Sequence, residues 1–510
     1  MAVHRLNIAT IIDIQYYFLC FLLYFLSALL LKSFFKTKTP LNLPPSPPAL
    51  PIIGHLHLLD PSLFQSFHNL SNKYGPLLYL RLGASRCLSI STASMATEIF
   101  KTNDLVFANR PSFAFVDKLP YKNYGLFVAP YGDCWRFFKK LCKNELLSAH
   151  QVEKSRDIRR EEMIRFLHKV LESGKKKQVL DMSSELMKLT NNSTCRVVMS
   201  IRCSDDNDEA EKIRQLVKET TEVSAKVSFG DVLGPLRFLA FWFYGKQAVD
   251  VILTFDEILE RVLKQHEENP NVENEDFVDI LLKVYRDDKA EFKINRTHLK
   301  AFLLVLFLGG TSSSAEAMQW TIAELINHPD VFNKVREEIK VVVGSSRLVE
   351  DSDIPSLPYL QAVVKEVLRL HPPWPIIIRE CRQDCKIKDF DILEKTMVAI
   401  NVYTIMRDAN VWNCPNDFCP ERFLVSFEKE DVMKYIPFGA GRRVCPGSKL
   451  ALSLVHTTIA AMVQCFDWKV GGEEDHAKVN MQVGPGITKP MAQLLICLPV
   501  VHFNPFTSSF

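Results

Sequence analysis

The sequence predicts a mainly α-helical fold with a small β region. Beyond the first fifty residues, most of the chain carries apolar residues at helical spacing. The most apolar stretch, residues 300–329, has the length and composition of a long helix inside a core. Short apolar runs at residues 77–82 and 86–90 predict strands near the beginning of the chain.

Length and composition favour one large folded body. The chain has 510 residues, and no Gly/Ser-rich linker or repeat divides it after the first fifty. Its 62 basic and 59 acidic residues are nearly balanced, which gives no indication of nucleic-acid binding. The 13 cysteines, an odd number without clustered spacing, favour a reducing compartment over a disulfide framework. Cys381 with Cys385, and Cys414 with Cys419, are too loosely spaced for a zinc ribbon and are interpreted as thiols.

The first 39 residues predict a membrane anchor followed by a basic stop segment. Residues 14–31 form an apolar run just long enough to cross a bilayer, with Gln15 as its one strongly polar residue. A cleaved signal peptide is the alternative, but the run is long for one and continues into lysines rather than a small-residue cleavage site. Lys32, Lys36 and Lys38 outweigh Arg5, so the positive-inside rule predicts a single-pass protein whose remaining chain faces the cytoplasm.

Residues 40–52 predict a proline-rich hinge, and residues 53–510 the folded body. Pro44, Pro45, Pro47 and Pro48 favour a stiff extended segment that holds the body at a fixed attitude to the membrane. The alternative interpretation is a plain linker.

The long apolar helix at 300–329 changes character at residues 309–314. Gly309 and Gly310 are predicted to open room beside the helix, and the hydroxyl residues that follow can open the helical ladder and hold water. The alternative is a helix buried purely for packing.

The segment FGAGRRVCPG, residues 438–447, places one cysteine in a glycine-rich loop before an apolar helix. A helix entered at Pro446 would stabilise negative charge on Cys445, and the thiolate is the form that ligates a metal. Gly441 and Gly447 would allow close backbone approach to a porphyrin, while Arg443 supplies charge for a propionate. Thiolate ligation favours cleavage of the O–O bond, so the loop predicts an oxygen-activating haem.

This segment resembles the haem-binding signature of the cytochrome P450 superfamily, with Phe438, Gly441, Arg443, Cys445 and Gly447 at its fixed positions. The resemblance covers nearly the whole chain and is strongest to plant microsomal members, through WRFFKKLC, GGTSSSAEAMQWTIAEL and IPSLPYLQAVVKEVLRLHPP. It implies the cytochrome P450 fold with a single N-terminal transmembrane helix, haem b held by Cys445, and residence in the endoplasmic reticulum membrane.

The resemblance also assigns roles to residues outside the loop. Trp135, Lys139 and Arg379 would meet the haem propionates, although Lys139 stands where arginine is common and lacks its bidentate fork. Glu366 and Arg369 stand three apart on a predicted helix that ends before Pro372. With Arg422 they would form a buried charge network.

The candidate catalytic residues depart from the family pattern of glycine, any residue, acid and threonine. This chain has Gly310, Thr311, Ser312 and Ser313 in that order. The acid is missing, and Ser313 keeps the hydroxyl of threonine without its methyl group. Proton supply is therefore in question, because a serine is not a charged relay at neutral pH. Glu316, which shares a helical face with Ser312 and Ser313, is the candidate substitute; a surface or packing role is the alternative.

The resemblance implies a monooxygenase that takes electrons from NADPH through NADPH-cytochrome P450 reductase. Cytochrome b5 is a candidate second partner, a hydrophobic small molecule is the substrate, and membrane lipid surrounds the anchor. Arg136, Lys140 and Lys143 could form a basic docking face, or a plain solvated face. Two alternatives stay open: a hydroperoxide isomerase or dehydratase that needs no reductase, and a haem-binding protein without catalysis.

The branches of this plant clan nearest in resemblance act on triterpenoids and flavonoids. We favour a pentacyclic triterpenoid, oxidised at a methyl group in successive steps, over a flavonoid or isoflavonoid. The reason is that the candidate pocket residues are mostly bulky and apolar, although core packing would explain them as well. They are Phe113, Phe115, Leu119, Tyr121, Leu308, Trp374, Ile376, Ile377 and Ile378.

Overall fold

A computed structural model describes residues 16–21, 23–24, 27, 41–111, 121, 124–202, 215–217, 219–220, 222–223, 237–270, 275–424, 432–471, 478–484 and 486–506. The chain divides into two compact units, one of Met1–Leu43 with Lys386–Asp391, the other of Pro44–Cys385 with Ile392–Phe510. In the smaller unit, the side-chain amide of Asn42 donates to the carbonyl oxygen of Asp389 at 2.9 Å. Of the predicted membrane-spanning run at 14–31, the structure describes residues 16–21, 23–24 and 27, which are helical.

The larger unit is predominantly helical, as predicted. Its α-helices are α1 (Leu63–Tyr74), α2 (Ala93–Thr97), α3 (Asp133–Leu141), α4 (Ala149–Lys154), α5 (Arg156–Lys175), α6 (Met182–Met199), α7 (Arg237–Glu268), α8 (Phe277–Arg286), α9 (Arg296–Asn327), α10 (Pro329–Val343), α11 (Pro358–Leu370), α12 (Val402–Ile405) and α13 (Ser448–Cys465).

The described strands form small sheets. They are β1 (Leu77–Leu82), β2 (Ser85–Ile90), β3 (Leu180–Asp181), β4 (Ile376–Glu380), β5 (Cys385–Ile387), β6 (Phe390–Ile392), β7 (Met397–Asn401), β8 (Phe466–Val470) and β9 (Ile496–Val501). One sheet has the order β1-β2-β7-β4, the second β3-β9-β8, and β5 pairs with β6. In the first sheet β2 and β7 are parallel, while the other two pairs are antiparallel.

The proline-rich segment is bound to the larger unit from Pro44 onward. Pro44 and Pro47 are buried. The backbone N–H of Tyr79 on β1 donates to the carbonyl oxygen of Pro45 at 2.9 Å. The Nε2 atom of His55 lies 2.8 Å from the carbonyl oxygen of Pro47. These contacts give the segment a fixed direction on the folded body.

Helix α9 is the central helix of the larger unit. It begins at a capping box, in which the side chain of Asn295 accepts from the N–H of His298 at 2.9 Å, and it ends before Pro329. Among the described residues, α9 is also the helix whose length and hydropathy would suit a membrane span, but 61% of its most apolar window is buried in the protein.

The two halves of α9 belong to different hydrophobic clusters. The first half, including Phe302 and Phe307, packs with α3, α7 and α8. The second half, including Met318 and Ile322, packs with α5, α6, α10, α11 and α13. The glycines and hydroxyl residues at 309–314 therefore lie where the helix passes from one cluster to the other.

A buried charge network ties α11 to the segment that precedes the cysteine loop. Glu366 and Arg369 are fully buried, and the guanidinium of Arg369 donates to both carboxylate oxygens of Glu366 at 2.7 and 2.9 Å. Arg422 adds a bond to the same carboxylate at 3.0 Å, as does the backbone N–H of Cys419 at 2.9 Å. Because every charge has a partner, the network stabilises this region only while it is complete.

Candidate active site

The loop at Cys445 is shaped by a reversal of the chain between Phe438 and α13. The backbone N–H of Cys445 donates to the carbonyl oxygen of Phe438 at 3.0 Å, so Phe438 fixes the position of the cysteine. Gly439 and Gly441 have φ angles of +73° and +71°, which a glycine adopts without strain. The prediction that the helix is entered at Pro446 is wrong: Pro446 and Gly447 form a turn, and α13 starts at Ser448.

The two glycines predicted to approach a porphyrin differ in their surroundings. A Cβ on Gly441 would lie 2.5 Å from Oδ1 of Asp104 and 3.1 Å from the carbonyl oxygen of Phe100. The backbone of Gly441 therefore packs closely against Asp104 and Phe100. This differs from the prediction that it approaches a porphyrin. A Cβ on Gly447 would have no atom within 4 Å, so this glycine borders open space.

The Cys445 thiol has an exposed surface, yet the protein around its sulfur is dense enough for burial to raise its pKa. A hydrogen bond with the backbone of Gly447 and the nearby Lys139 ammonium act in the opposite direction and favour the thiolate. Lys139, on α3, donates from Nζ to the carbonyl oxygen of Val444 at 2.7 Å. The lysine predicted at a propionate thus binds the cysteine loop itself.

Arg379 and Arg443 lie in one cluster with Arg110. Arg443 donates to the carbonyl oxygens of Ala108 and Ala129. Arg110 donates to the carbonyl oxygen of Ile378. Arg379 is 3% exposed, and its Nη1 atom has no hydrogen-bond partner.

The arginine cluster is crowded with positive charge, and attraction from Asp104 offsets the effect of burial on Arg379 only in part. Burial lowers the pKa of Arg379 to about 10 and that of Arg443 to about 9, and repulsion between the two guanidiniums lowers the latter further. Burial, with repulsion from both neighbours, places the pKa of Arg110 well below its ordinary value. Within the described part of the chain, none of the three forms an ion pair with a carboxylate. Three crowded cations with an unused donor suit an anionic group such as a pair of carboxylates.

Arg110 is a functional candidate that the sequence interpretation missed. It lies in the loop before Pro111, far from Arg379 and Arg443 along the chain, and a single loop arginine gives no signal by itself. Only the fold brings the three side chains together.

Trp135 is buried, with 5% of its surface exposed, and it contacts this cluster through Arg443. Its indole N–H donates to the carbonyl oxygen of Leu126 at 3.0 Å, so this structure does not offer that donor to a propionate as predicted. Its ring lies 4.8 Å from the guanidinium carbon of Arg443, within reach of a cation–π interaction. The indole therefore positions Arg443.

On α9, the two glycines have different roles. A Cβ on Gly309 would meet no atom within 4 Å, which agrees with the predicted open room. A Cβ on Gly310 would lie 2.7 Å from Oγ1 of Thr194, so Gly310 serves the close packing of α6 on α9. The prediction of open space is wrong for Gly310.

The hydroxyl residues leave α9 an unbroken helix. Thr311 is fully buried, and its hydroxyl donates to the carbonyl oxygen of Phe307 at 2.7 Å. Ser313 donates in the same way to the carbonyl oxygen of Gly309 at 2.9 Å. The expected opening of the helical ladder is therefore not present, because both hydroxyls bond to the carbonyl one turn earlier. Ser312 is half-buried.

Glu316 is buried, which excludes the alternative of a surface role. Its Oε1 atom accepts from the hydroxyl of Thr488 at 3.0 Å, while Oε2 has no partner. Burial raises the pKa of this carboxyl to about 8, although the bond from Thr488 favours ionisation. The side chain is consequently a neutral acid at pH 7 that can donate a proton from a buried position.

The candidate pocket residues are only partly described. Phe113, Phe115 and Leu119 lie outside the described residues. Tyr121 is buried in the hydrophobic cluster of α3, α7 and α8, and its hydroxyl donates to Asp256 at 2.8 Å. The remaining candidates are apolar: Leu308, Ile376 and Ile378 are half-buried, Ile377 is buried, and Trp374 is 37% exposed.

The family model described as "Cytochrome P450" matches residues 44–498. "Cytochrome P450 705A12" from Arabidopsis thaliana is 44% identical, over 98% of this chain and 99% of the relative. "Beta-amyrin 24-hydroxylase" from Glycine max is 40% identical, over 98% and 100%. "3,9-dihydroxypterocarpan 6A-monooxygenase" from Glycine max is 40% identical, over 92% and 95%. Among solved structures, a zebra fish cytochrome P450 with abiraterone superposes with a TM-score of 0.74 at 25% identity, over 88% of this chain and 99% of the other.

Proposed function

Because the chain belongs to the cytochrome P450 family, we propose that it oxidises a hydrophobic triterpenoid with an oxygen atom taken from dioxygen. The family makes it a haem-thiolate monooxygenase of plant specialised metabolism that receives electrons from a reductase. The observation that carries the choice of substrate is the similarity to "Beta-amyrin 24-hydroxylase", which extends over 98% of this chain. The apolar side chains of β4 and Leu308 suit such a skeleton.

The residues present fit haem b. Cys445 offers the thiolate, the arginine cluster offers unpaired positive charge, and Gly309 and Gly447 border open space. When bound, a thiolate-ligated haem activates dioxygen and favours cleavage of its O–O bond. We assign Cys445 as the iron ligand and Arg110, Arg379 and Arg443 as the partners of the propionates.

Other residues of the site hold these groups in place. The carbonyl oxygen of Phe438 accepts from the backbone N–H of Cys445, and the positive φ of Gly441 allows the loop to turn. Gly447 leaves open space beside the loop. Lys139 supports the thiolate electrostatically, and Trp135 positions Arg443.

On α9, we propose that the chain's own hydroxyl and carboxyl groups move the protons that the reaction consumes. Gly310 and Thr311 shape the helix, and the hydroxyls of Ser312 and Ser313, four and three positions before Glu316 on α9, would pass a proton onward. Glu316 holds the proton on a carboxyl group whose Oε2 atom is free of other bonds. This arrangement would replace the acid that the family usually carries in place of Ser312.

Electrons would enter at the face formed by Arg136, Lys140 and Lys143. Lys140 pairs with Glu291 at 2.7 Å in an exposed position, and such pairs are weak enough to exchange for a partner's carboxylates. We propose that NADPH-cytochrome P450 reductase docks here through its acidic surface, and that cytochrome b5 uses the same face. Association would weaken as salt rises.

We further propose that residues 1–39 anchor the protein, with surrounding membrane lipid, in the endoplasmic reticulum membrane. Residues 40–52 would then act as the hinge, and 53–510 as a catalytic domain on the cytoplasmic side. The apolar run and its flanking lysines support the anchor. The burial of Pro44 and Pro47 supports a hinge of fixed direction.

A flavonoid or isoflavonoid is the second candidate substrate, because "3,9-dihydroxypterocarpan 6A-monooxygenase" is as similar, at 40% identity. The experiment is to co-express the chain with a plant reductase, supply NADPH with panels of triterpenes and flavonoids, and identify products by mass spectrometry. Hydrogen peroxide is measured alongside, and each sample has a control without NADPH.

We expect an oxygenated triterpene that requires NADPH. An oxygenated flavonoid instead would establish the second candidate. Conversion of a lipid hydroperoxide without NADPH would support the isomerase or dehydratase alternative. Carbon monoxide binding by the haem with no product from any panel would support a haem-binding protein without catalysis.

A further inference from the structure

Two thiols outside the active site face each other across a tight turn. Cys381 follows β4 directly, Cys385 begins β5, and their sulfur atoms lie 3.7 Å apart. A disulfide bond requires about 2.05 Å, so both are free cysteines in this structure. The gap is small enough for side-chain rotation to close it.

The backbone holds Cys381 in place. Its N–H donates to the carbonyl oxygen of Thr396 at 2.9 Å, and its carbonyl oxygen accepts from the N–H of Lys395 at 2.8 Å. The next residue, Arg382, donates its backbone N–H to the carbonyl oxygen of Val106 at 2.9 Å. The proximity of the thiols is thus built into the fold of the turn.

The two thiols differ in accessibility and in acidity. Cys381 is fully buried, whereas Cys385 is half-buried and next to the exposed residues 382–384. The hydrogen bond between the two thiols lowers the pKa of Cys385, and the same bond together with burial raises the pKa of Cys381. A small oxidant would therefore meet Cys385 first, and Cys385 is the better nucleophile at neutral pH.

We propose that Cys381 and Cys385 form a reversible oxidation site for hydrogen peroxide, in which Cys385 is the attacking thiol and Cys381 the resolving thiol. The Cys385 thiolate attacks one peroxide oxygen, the O–O bond breaks, and hydroxide leaves with a proton as water. The resulting sulfenic acid is displaced by the sulfur of Cys381, which forms the S–S bond and releases a second water. In total, two thiols and one hydrogen peroxide give one disulfide and two waters.

Oxidation at this point would fix the end of the strand that carries Arg379. The disulfide closes a ring between positions 381 and 385, and such a short ring restricts the unfolded chain less than a long one. We therefore expect a local change that leaves the fold intact. The inference does not depend on the substrate of the enzyme.

The test uses the full-length, haem-loaded protein and peroxide itself. The protein is treated with stoichiometric hydrogen peroxide and quenched with catalase. Its thiols are alkylated under denaturing conditions, then reduced and alkylated again with an isotopically heavy reagent. We expect the heavy label on both Cys381 and Cys385, and its loss when dithiothreitol precedes the first alkylation.

Single variants distinguish the two roles. In Cys381→Ser, Cys385 should stop at a sulfenic acid that dimedone traps. In Cys385→Ser, the buried Cys381 should remain a thiol. Cys414→Ser removes an exposed cysteine outside the pair and should leave the labelling unchanged. Each variant is first shown by thermal unfolding and haem content to be folded.

Two results would overturn the proposal. One is a wild-type protein in which Cys381 and Cys385 remain thiols while the exposed Cys414 is oxidised. The other is progression of Cys385 to sulfinic acid with Cys381 still reduced.

Discussion

The carboxyl group of Glu316 accepts a hydrogen bond from the hydroxyl of Thr488 at 3.0 Å, across 172 positions of sequence. This bond occupies one oxygen, and Oε2 has no hydrogen-bond partner among the residues that the structure describes. A buried polar atom without a partner is energetically costly. Its presence on the helix that carries Ser312 and Ser313 therefore favours a functional role for Glu316 over a role in packing.

Glu316 makes stability depend on pH in a defined direction. Burial raises the pKa of its carboxyl from 4.5 to about 8, so the folded protein keeps a proton that the unfolded chain releases above pH 4.5. The contribution to stability is full below pH 4.5 and is lost as pH rises towards 8. Glu316→Gln does not titrate. As pH rises from 4.5 to 8, we therefore expect the Tm of the wild type to fall by several degrees relative to that of the variant. Calorimetry at a fixed scan rate measures both. Parallel curves for the two proteins would contradict this assignment.

Glu316→Gln should also change the outcome of catalysis. The amide keeps a hydrogen-bond acceptor for Thr488 but cannot supply a proton, so we expect product formation to fall by about 10²-fold and the peroxide formed per NADPH to rise. Product and peroxide are measured in the same reconstituted reaction. Unchanged coupling would show that protons arrive by another path.

The change Ser312→Asp should compensate for the loss of Glu316. It restores the acid that the family pattern has at this position, on the same face of α9. We expect the double variant, Ser312→Asp with Glu316→Gln, to recover most of the product per NADPH. Ser312→Asn in the same background is the matched control, since it is similar in shape but its amide neither takes up nor releases a proton in this pH range. Equal recovery by both would contradict a role for the acid.

Removing Arg110 should have opposite effects on the empty protein and on haem binding. Arg110→Met relieves the repulsion from Arg379 and Arg443, so the Tm of the haem-free protein should not fall. The lost charge-assisted bond to a propionate should weaken haem binding by about tenfold or more. Haem titration and calorimetry measure the two effects, and the exposed Lys101→Met is the control. Haem binding equal to wild type would show that Arg110 lies outside the cofactor site.

Alanine substitutions at Gly309 and Gly310 should show which of the two glycines borders open space and which is packed against a neighbouring helix. At Gly310 the new Cβ would lie 2.7 Å from Oγ1 and 2.9 Å from Cγ2 of Thr194, so Gly310→Ala should destabilise the protein by about 1–3 kcal/mol. Gly309→Ala has no atom within 4 Å of its Cβ among the described residues and should not lower Tm; the higher helix propensity of alanine favours a small rise. Adding Thr194→Ala to Gly310→Ala should restore most of the loss. Equal destabilisation by both single substitutions would contradict the packing described for α6 and α9.

The features predicted correctly from the sequence are those that depend on neighbours along the chain. The runs at 77–82 and 86–90 are strands, the apolar stretch is helical from 300 to 327, and Glu366 and Arg369 meet on one helical face. Alternation, helical periodicity and spacing of three residues are local signals, so they survive whatever the tertiary arrangement is. The cysteine loop is likewise a continuous segment whose composition marks its chemistry.

What the sequence did not determine is decided by contacts between distant segments. Arg110 joins Arg379 and Arg443, and Gly310 contacts Thr194. Glu316 accepts from Thr488, and the indole N–H of Trp135 donates to the carbonyl oxygen of Leu126. Residue type alone cannot show whether a glycine borders space or a neighbouring helix, or which acceptor an indole N–H will find. By itself, the sequence determined the predominantly helical fold, the long helix α9, the first strands and the cysteine loop. The tertiary structure decided the charge balance of the arginine cluster and the protonation of Glu316, because burial and electrostatic interaction depend on groups that only folding brings within a few ångströms.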